Sequence, residues 1–186
     1  RNRGTLGGSV SHADPSAEIP AVCRILDAKF TLRSKNGCRT VGSEEFFITY
    51  FTTALQSTEI LTEIRLPQLR SDLGWGFEEM ARRHGDFAMV GAIALIEPAS
   101  NGVCKSVRLT MFGVDGVPLK MTEVEDSLSG VCLDHKILEC VSRQISATLD
   151  PESDIHASSE YRKDVGGVLA RRALMAASRL AFGSTV

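Results

Sequence analysis

The middle of the chain carries three runs of apolar residues whose spacing predicts β-strands. They are residues 76–80, 87–96 and 107–114. The second run is apolar at nearly every position, which predicts a strand covered on both faces, whereas the third alternates between apolar and polar side chains. Because the three runs follow one another directly, we expect a three-stranded antiparallel sheet.

After the third run the apolar positions recur at helical spacing. Residues 122–125 have a capping-box pattern, and either Ser158 or Ser159 can cap a last long helix. Gly166 and Gly167 lie inside that helix, where glycine is unfavourable, so we expect close packing against a neighbouring element. An apolar stripe marks the helix between them at Ile137, Leu138, Val141, Ile145 and Leu149.

The first part of the chain predicts shorter elements. Residues 2–18 are expected to form a loop entering a short helix, residues 42–47 a capped helical turn, and residues 28–32 and 60–66 strands. In the last of these, alternation places Ile60, Thr62, Ile64 and Leu66 on one face. Strands followed by helices predict the α+β class. The polar stretch 67–74 is the best boundary, which divides the chain into domains 1–71 and 72–186.

Composition excludes several classes of protein. In 186 residues, 21 Lys and Arg stand against 23 Asp and Glu, so no cationic surplus is available to bind nucleic acid. The longest apolar run is about half of the roughly 20 residues needed to cross a bilayer, so no membrane span is expected. Five cysteines without a CxxC motif indicate reduced thiols in a cytoplasmic protein with no metal site.

One glycine-rich segment has the composition of an anion-binding loop. Residues 5–9 read TLGGS, and two adjacent glycines let backbone N–H groups approach a phosphate, although an ordinary tight turn has the same composition. Asp14 and Glu18 follow, where they could bind the hydroxyls of a ribose or ribityl chain, or could simply stabilise a helix start. Residues 82–86 form a polar cluster that suits an acidic ligand, a partner subunit or a solvated turn. No spacing defines catalytic side chains, so redox chemistry would need a cofactor.

An ordered set of short motifs resembles a known family. They are residues 2–9 (NRGTLGGS), 13–15 (ADP), 45–47 (EFF), 59–67 (EILTEIRLP), 77–88 (FEEMARRHGDFA), 154–162 (DIHASSEYR) and 169–174 (LARRAL). The set resembles the FAD-binding medium subunit of molybdenum hydroxylases, of the carbon monoxide dehydrogenase and xanthine dehydrogenase type. The resemblance implies the C-terminal part of a PCMH-type FAD-binding domain followed by a CO-dehydrogenase-flavoprotein C-terminal domain.

The resemblance also implies a role and a set of binding residues. An oxidoreductase subunit of this family holds FAD and receives electrons from a molybdenum large subunit through the [2Fe-2S] clusters of a small subunit, then passes them to an external acceptor. Glu18, with Asp14 close by, corresponds to the acid that follows the phosphate loop, and Leu61 corresponds to a leucine on the flavin. The pyrophosphate loop corresponds to Thr5, Leu6, Gly7, Gly8 and Ser9.

The family's pattern departs from this chain in two places. A lysine of some relatives corresponds to Glu78. The family also has an N-terminal subdomain with a first phosphate loop of AGGxS type, which is not found in these 186 residues. We therefore expect the C-terminal part of a flavoprotein subunit. Two alternatives stay open, a subunit-docking fragment that does not hold FAD by itself and a free-standing nucleotide-binding protein.

Overall fold

The computed structural model describes residues 4–83 and 85–183. Its largest sheet is antiparallel and consists of β6 (Gly74–Ala81), β7 (Ala88–Pro98), β8 (Cys104–Phe112) and β9 (Leu119–Lys120), in that order. The first three are the predicted strands. The expectation of a three-stranded sheet was wrong by one strand, because β9 has only two residues and is too short to show a period in the sequence.

Helices pack on one face of this sheet. They are α4 (Thr122–Leu128), α5 (His135–Thr148) and α6 (Ser159–Phe182). The side chain of Ser158 accepts a hydrogen bond from the N–H of Tyr161 at 3.2 Å, so the predicted cap of α6 is confirmed at Ser158. The predicted capping box was wrong, since α4 has Met121 at its N-cap and no side-chain cap there.

Two pairs of glycines let α6 approach its neighbours closely. A Cβ atom on Gly166 would lie 2.6 Å from Leu149, and one on Gly167 would lie 2.4 Å from the backbone oxygen of Ser142. The expected close packing at these glycines is confirmed. On the sheet side, Gly74 and Gly76 of β6 bring the strand directly against the backbone of α6.

The first part of the chain forms a smaller unit with its own sheet. Its strands β1 (Lys29–Ser34), β2 (Gly37–Gly42) and β5 (Ile60–Arg65) are ordered β2-β1-β5, and β3 (Phe47–Thr49) pairs with β4 (Thr52–Thr53). The helices are α1 (Leu6–His12), α2 (Glu18–Ile25) and α3 (Ser43–Phe46). The aromatic rings of Phe30, Phe46 and Phe47 pack together in the core of this unit.

The predicted alternation along β5 was wrong because the strand is irregular. Thr31 and Leu32 of β1 are adjacent, yet they pair with Glu63 and Leu61, which leaves Thr62 as an extra residue. Leu61 and Ile64 therefore both pack on the core, whereas Ile60 is 66% exposed.

Strand β7 is covered on both faces, as its continuous apolar run predicts. Val90 and every second residue after it along the strand, up to Ile96, pack in the core formed with α5 and α6. Ile93 and Leu95 pack on the other face with Ala21 and Ile25 of α2. The second helix thus joins the smaller unit to the large sheet. Among the described residues no helix combines the length and apolar character that crossing a membrane requires.

Replacing Gly76 by alanine is expected to lower the free energy of unfolding by about 1–3 kcal/mol, the usual cost of overpacking. The added Cβ atom would lie 2.0 Å from the carbonyl oxygen of Ala173 on α6. Chemical denaturation measures the effect. Gly42→Ala is the matched control, because a Cβ atom there meets nothing within 4 Å. Equal stability of the Gly76 variant and the unaltered protein would contradict this packing.

Candidate functional site

The glycine-rich segment forms the start of a helix and not the predicted loop. Thr5 is the N-cap of α1, where its side chain accepts a hydrogen bond from the N–H of Gly8 at 3.0 Å. The first turn closes with a 3.0 Å hydrogen bond from Ser9 N–H to Thr5 O. Glycine destabilises a helix by about 1 kcal/mol per residue relative to alanine, so the sequence did not predict one here. The cap at Thr5 and the burial of Val10 stabilise the helix. Residues 2 and 3 of the predicted loop lie outside the described residues.

The first turn of α1 leaves two backbone donors without an intrahelical partner. The N–H groups of Leu6 and Gly7 precede the first intrahelical hydrogen bond, so the helix itself supplies no acceptor for them. They lie at the positive end of the helix dipole. Oxygen atoms of a phosphate satisfy both the hydrogen bonds and the charge.

The two glycines of this turn have different structural roles. A Cβ atom on Gly8 would approach Thr5 Oγ1 to 2.8 Å, so the cap itself requires glycine there. A Cβ atom on Gly7 would meet no atom within 4 Å. No contact among the described residues therefore explains a glycine at position 7, and the space beside it is open to a ligand.

The candidate acids lie beyond the other end of α1. The helix ends at Ala13, which has φ of 52°, and Asp14 Oδ1 then accepts a hydrogen bond from the N–H of Ser16 at 2.9 Å. Glu18 is the first residue of α2, in the position that the helix dipole favours for an acid. Seven helical residues rise about 10 Å, so α1 separates Asp14 from Thr5 by about that length.

Leu61 lies on β5, the strand that α1 contacts. Its side chain is half-buried and packs on the same core as Phe30 and Ile64. The structure therefore brings Leu61 beside α1, while part of its surface is already used in the fold.

A cavity of about 320 Å³ lies where the segment 13–17 meets the second half of the chain. We call it the junction cavity. Within the segment, Ala13, Pro15 and Ala17 are buried, whereas Asp14 and Ser16 line the cavity. Further lining residues are Arg82, Phe87, His156 and Arg162.

The predicted polar cluster at residues 82–86 contributes to this cavity. Arg82 Nη1 donates to His156 Nδ1 at 3.3 Å, and Asp86 also lines the cavity. His84 of the cluster lies outside the described residues. The sequence pattern gave no sign of Arg162 or Asp154 as site residues apart from the motif at residues 154–162.

Arg162 is the buried charge of the site, only 6% exposed. Its guanidinium donates to Asp154 Oδ2 at 2.7 Å, to Gly113 O at 2.7 Å and to Met89 O. Burial raises the pKa of Asp154, but hydrogen bonds from the N–H groups of Ala157 and His156 and from Arg162 outweigh burial, so the pKa lies below its ordinary value of 3.8. Asp154 therefore stays ionised opposite the guanidinium.

Two buried thiols of the described residues have raised pKa values. Burial raises the pKa of Cys23 and of Cys104 to about 11, which keeps both thiols protonated at neutral pH. Within the described ranges, no group of three or more His, Cys, Asp or Glu residues is placed to hold a metal ion.

Comparison with known proteins assigns the fold to a class of flavoproteins. Residues 1–69 match the family described as the FAD binding domain in molybdopterin dehydrogenase. Residues 75–177 match the CO dehydrogenase flavoprotein C-terminal domain. The chain belongs to this CO dehydrogenase flavoprotein family, and the resemblance found in the sequence is confirmed.

Individual relatives agree with the family. The chain is 34% identical over 174 residues to the 6-hydroxypseudooxynicotine dehydrogenase complex subunit alpha of Paenarthrobacter nicotinovorans, covering 94% of this chain and 59% of the relative. It is 30% identical over 177 residues to the carbon monoxide dehydrogenase medium chain of Hydrogenophaga pseudoflava, with 95% and 61% covered.

A solved structure supports the same assignment. Quinoline 2-oxidoreductase from Pseudomonas putida 86 superposes with a TM-score of 0.91 at 32% identity, over 97% of this chain and 62% of that chain. The chain thus spans about 60% of the length of the relatives it matches. The α+β class and the two successive family domains expected from the sequence are confirmed.

Replacing Asp154 by asparagine is expected to lower the free energy of unfolding at pH 7, with the difference shrinking as the pH falls below about 4. The folded pKa is lower than the unfolded one, so the stabilisation is complete above 3.8 and is lost as the pH falls through the folded value. Urea unfolding at pH 7 and pH 3 measures it. Asp150→Asn, at a side chain that is 94% exposed, is the control. A difference of the same size at both pH values would contradict the ionic origin.

Proposed function

We propose that this chain supplies part of the FAD site of a flavoprotein subunit in a molybdenum hydroxylase of the carbon monoxide, xanthine or aldehyde dehydrogenase type. The observation that carries the proposal is the match of residues 1–69 to the FAD-binding family, a segment that includes the start of α1 capped by Thr5. Its donors suit a pyrophosphate, so the residues present fit this cofactor.

The pyrophosphate is held at residues 5–9. The N–H groups of Leu6 and Gly7 donate to phosphate oxygens, while Thr5 is kept in place by its own cap with Gly8. Ser9 is half-buried on the same short helix, and its hydroxyl is the nearby side-chain donor. Gly7 leaves the space that a close approach of phosphate to backbone needs.

The acids and Leu61 orient the rest of the cofactor. Asp14 and Glu18 accept hydrogen bonds from its ribityl or ribose hydroxyls, about one length of α1 away from the phosphates. Asp14 is half-buried and held by Ser16, so its carboxylate has little freedom to lose on binding. Leu61 offers an apolar contact to the flavin from β5.

Bound FAD would supply the electron-transfer chemistry of the proposed complex. In the proposed complex, electrons reach this subunit from the [2Fe-2S] clusters of a small subunit and originate at the molybdenum cofactor of a large subunit. They leave to an external acceptor. The naming of relatives as subunits of dehydrogenase complexes supports such partners.

Two further assignments belong to the same proposal. We divide the chain into residues 1–71, part of the FAD-binding domain, and residues 72–186, the C-terminal domain. We place the protein in the cytoplasm, a reducing compartment that suits its free cysteines. These are Cys23, Cys38, Cys104, Cys132 and Cys140.

Replacing Gly7 by alanine is expected to weaken FAD binding at least tenfold while leaving the fold intact. The added methyl group occupies the space proposed for phosphate but meets no atom of the described residues within 4 Å. Because alanine favours helix over glycine by about 1 kcal/mol, the variant should unfold at the same temperature or higher. The whole gene product, purified with its native subunits, is titrated with FAD, and flavin fluorescence and thermal unfolding are recorded.

Gly42→Ala is the control, and it should match the unaltered protein in both measurements. Lack of flavin uptake by the unaltered complex would overturn the proposal. Subunits that still co-purify without flavin would favour the docking alternative. Unchanged FAD affinity in the Gly7 variant would remove α1 from the phosphate site.

A further inference from the structure

Arg162 joins three segments that are far apart in the sequence. It lies in the first turn of α6 and donates to Met89 O at the start of β7, to Gly113 O after β8, and to Asp154 Oδ2 in the loop before α6. Lysine has one donor nitrogen and cannot reproduce this fork of bonds. The buried guanidinium therefore holds these ends of the sheet and the loop in one arrangement.

The backbone of Gly113 connects Arg162 to the part of the chain that contains the candidate acids. The oxygen of Gly113 accepts from Arg162, and its N–H donates to Pro15 O at 2.9 Å. Pro15 stands between the candidate acids Asp14 and Glu18. One residue thus connects the guanidinium to the segment that carries both acids.

Gly113 is suited to this connection for two reasons. Its φ of 72° lies in the left-handed region, and a Cβ atom would lie 2.6 Å from Met89 O. The two carbonyls that Arg162 bridges, Met89 and Gly113, can approach each other because no side chain stands between them. The segment 13–17 is held elsewhere by a hydrogen bond from Phe51 N–H to Ala13 O at 3.3 Å.

The burial of Arg162 is costly unless its contacts are kept. The guanidinium is removed from water, and its Nε has no hydrogen-bond partner among the described residues. Displacing Asp154 or Gly113 would leave further donors unpaired in a buried place. The arrangement consequently resists distortion, which is the property that a residue orienting a neighbouring segment needs.

We propose that Arg162 is a positioning residue for the FAD site: through Gly113 and Pro15 it fixes where Asp14 and Glu18 stand relative to the junction cavity. This inference rests on the proposed function. Arg162 need not touch the cofactor, because its effect passes through the backbone of two intervening residues.

The test compares Arg162→Lys with Arg171→Lys in the whole gene product purified with its native subunits. Arg171 is the matched control, since it lies on the same helix and pairs with Glu139. Arg162→Lys should weaken FAD binding at least fivefold and change the circular dichroism of bound flavin, measured well below the unfolding temperature. It should also speed amide hydrogen exchange in residues 13–18, measured without FAD. Arg171→Lys should leave all three unchanged.

Asp154→Asn is the second variant, because the Asp154 side chain is 47% exposed and its loss should leave the fold intact. If Arg162→Lys does not fold, at least threefold weaker FAD binding in Asp154→Asn supports the inference and unchanged binding overturns it. A folded Arg162→Lys with unaltered flavin dichroism, FAD affinity and exchange also overturns it, even if its unfolding temperature is lower. Absence of FAD binding by the unaltered protein overturns the proposed function instead. In that case, faster amide hydrogen exchange in residues 13–18 of Arg162→Lys still supports the positioning by Arg162.

Discussion

The burial of β7 on both faces is the constraint on which the rest of the structure depends. An eleven-residue strand whose two faces are apolar is stable only if separate layers cover each of them. Helices α5 and α6 cover one face with the chain's largest core. The other face is covered by α2, which comes from the first part of the chain. The strand therefore sets where the segment before α2 must lie.

The candidate site lies where these layers end. At the start of β7 and just after β8, Arg162 donates hydrogen bonds to the backbone oxygens of Met89 and Gly113. The segment 13–17 enters α2 at this same place, with its small residues buried and its polar residues facing the junction cavity. Core packing on α2 and hydrogen bonding at Gly113 thus position one short segment from two sides.

Sequence patterns predicted the elements whose apolar positions repeat over many residues. They missed the elements whose form depends on contacts with distant parts of the chain. The strands β6 to β8 and the stripe of α5 follow from spacing, because many residues repeat the same environment, whereas for the cap of α6 the sequence left Ser158 and Ser159 open. Strand β2 was missed because only Val41 of its six residues is buried. The helix α1 was missed because it is short and two of its residues are glycines, which have low helix propensity, although Thr5 caps it. The face assignment of β5 failed at a bulge, which leaves no mark in the sequence.

The sequence alone determined the α+β class, the double-sided burial of β7 and the family, since apolar periodicity and ordered motifs are properties of neighbouring residues. It also picked out Thr5, Gly7 and Asp14 as candidates for one site. Only the tertiary structure decided that Thr5 begins a helix, that Asp14 lies about a helix length away from it, and that Arg162 is linked through Gly113 to Pro15, which lies between the two candidate acids. These relations join residues separated by up to about 150 positions, and they depend on how the layers pack around β7, which no local pattern records.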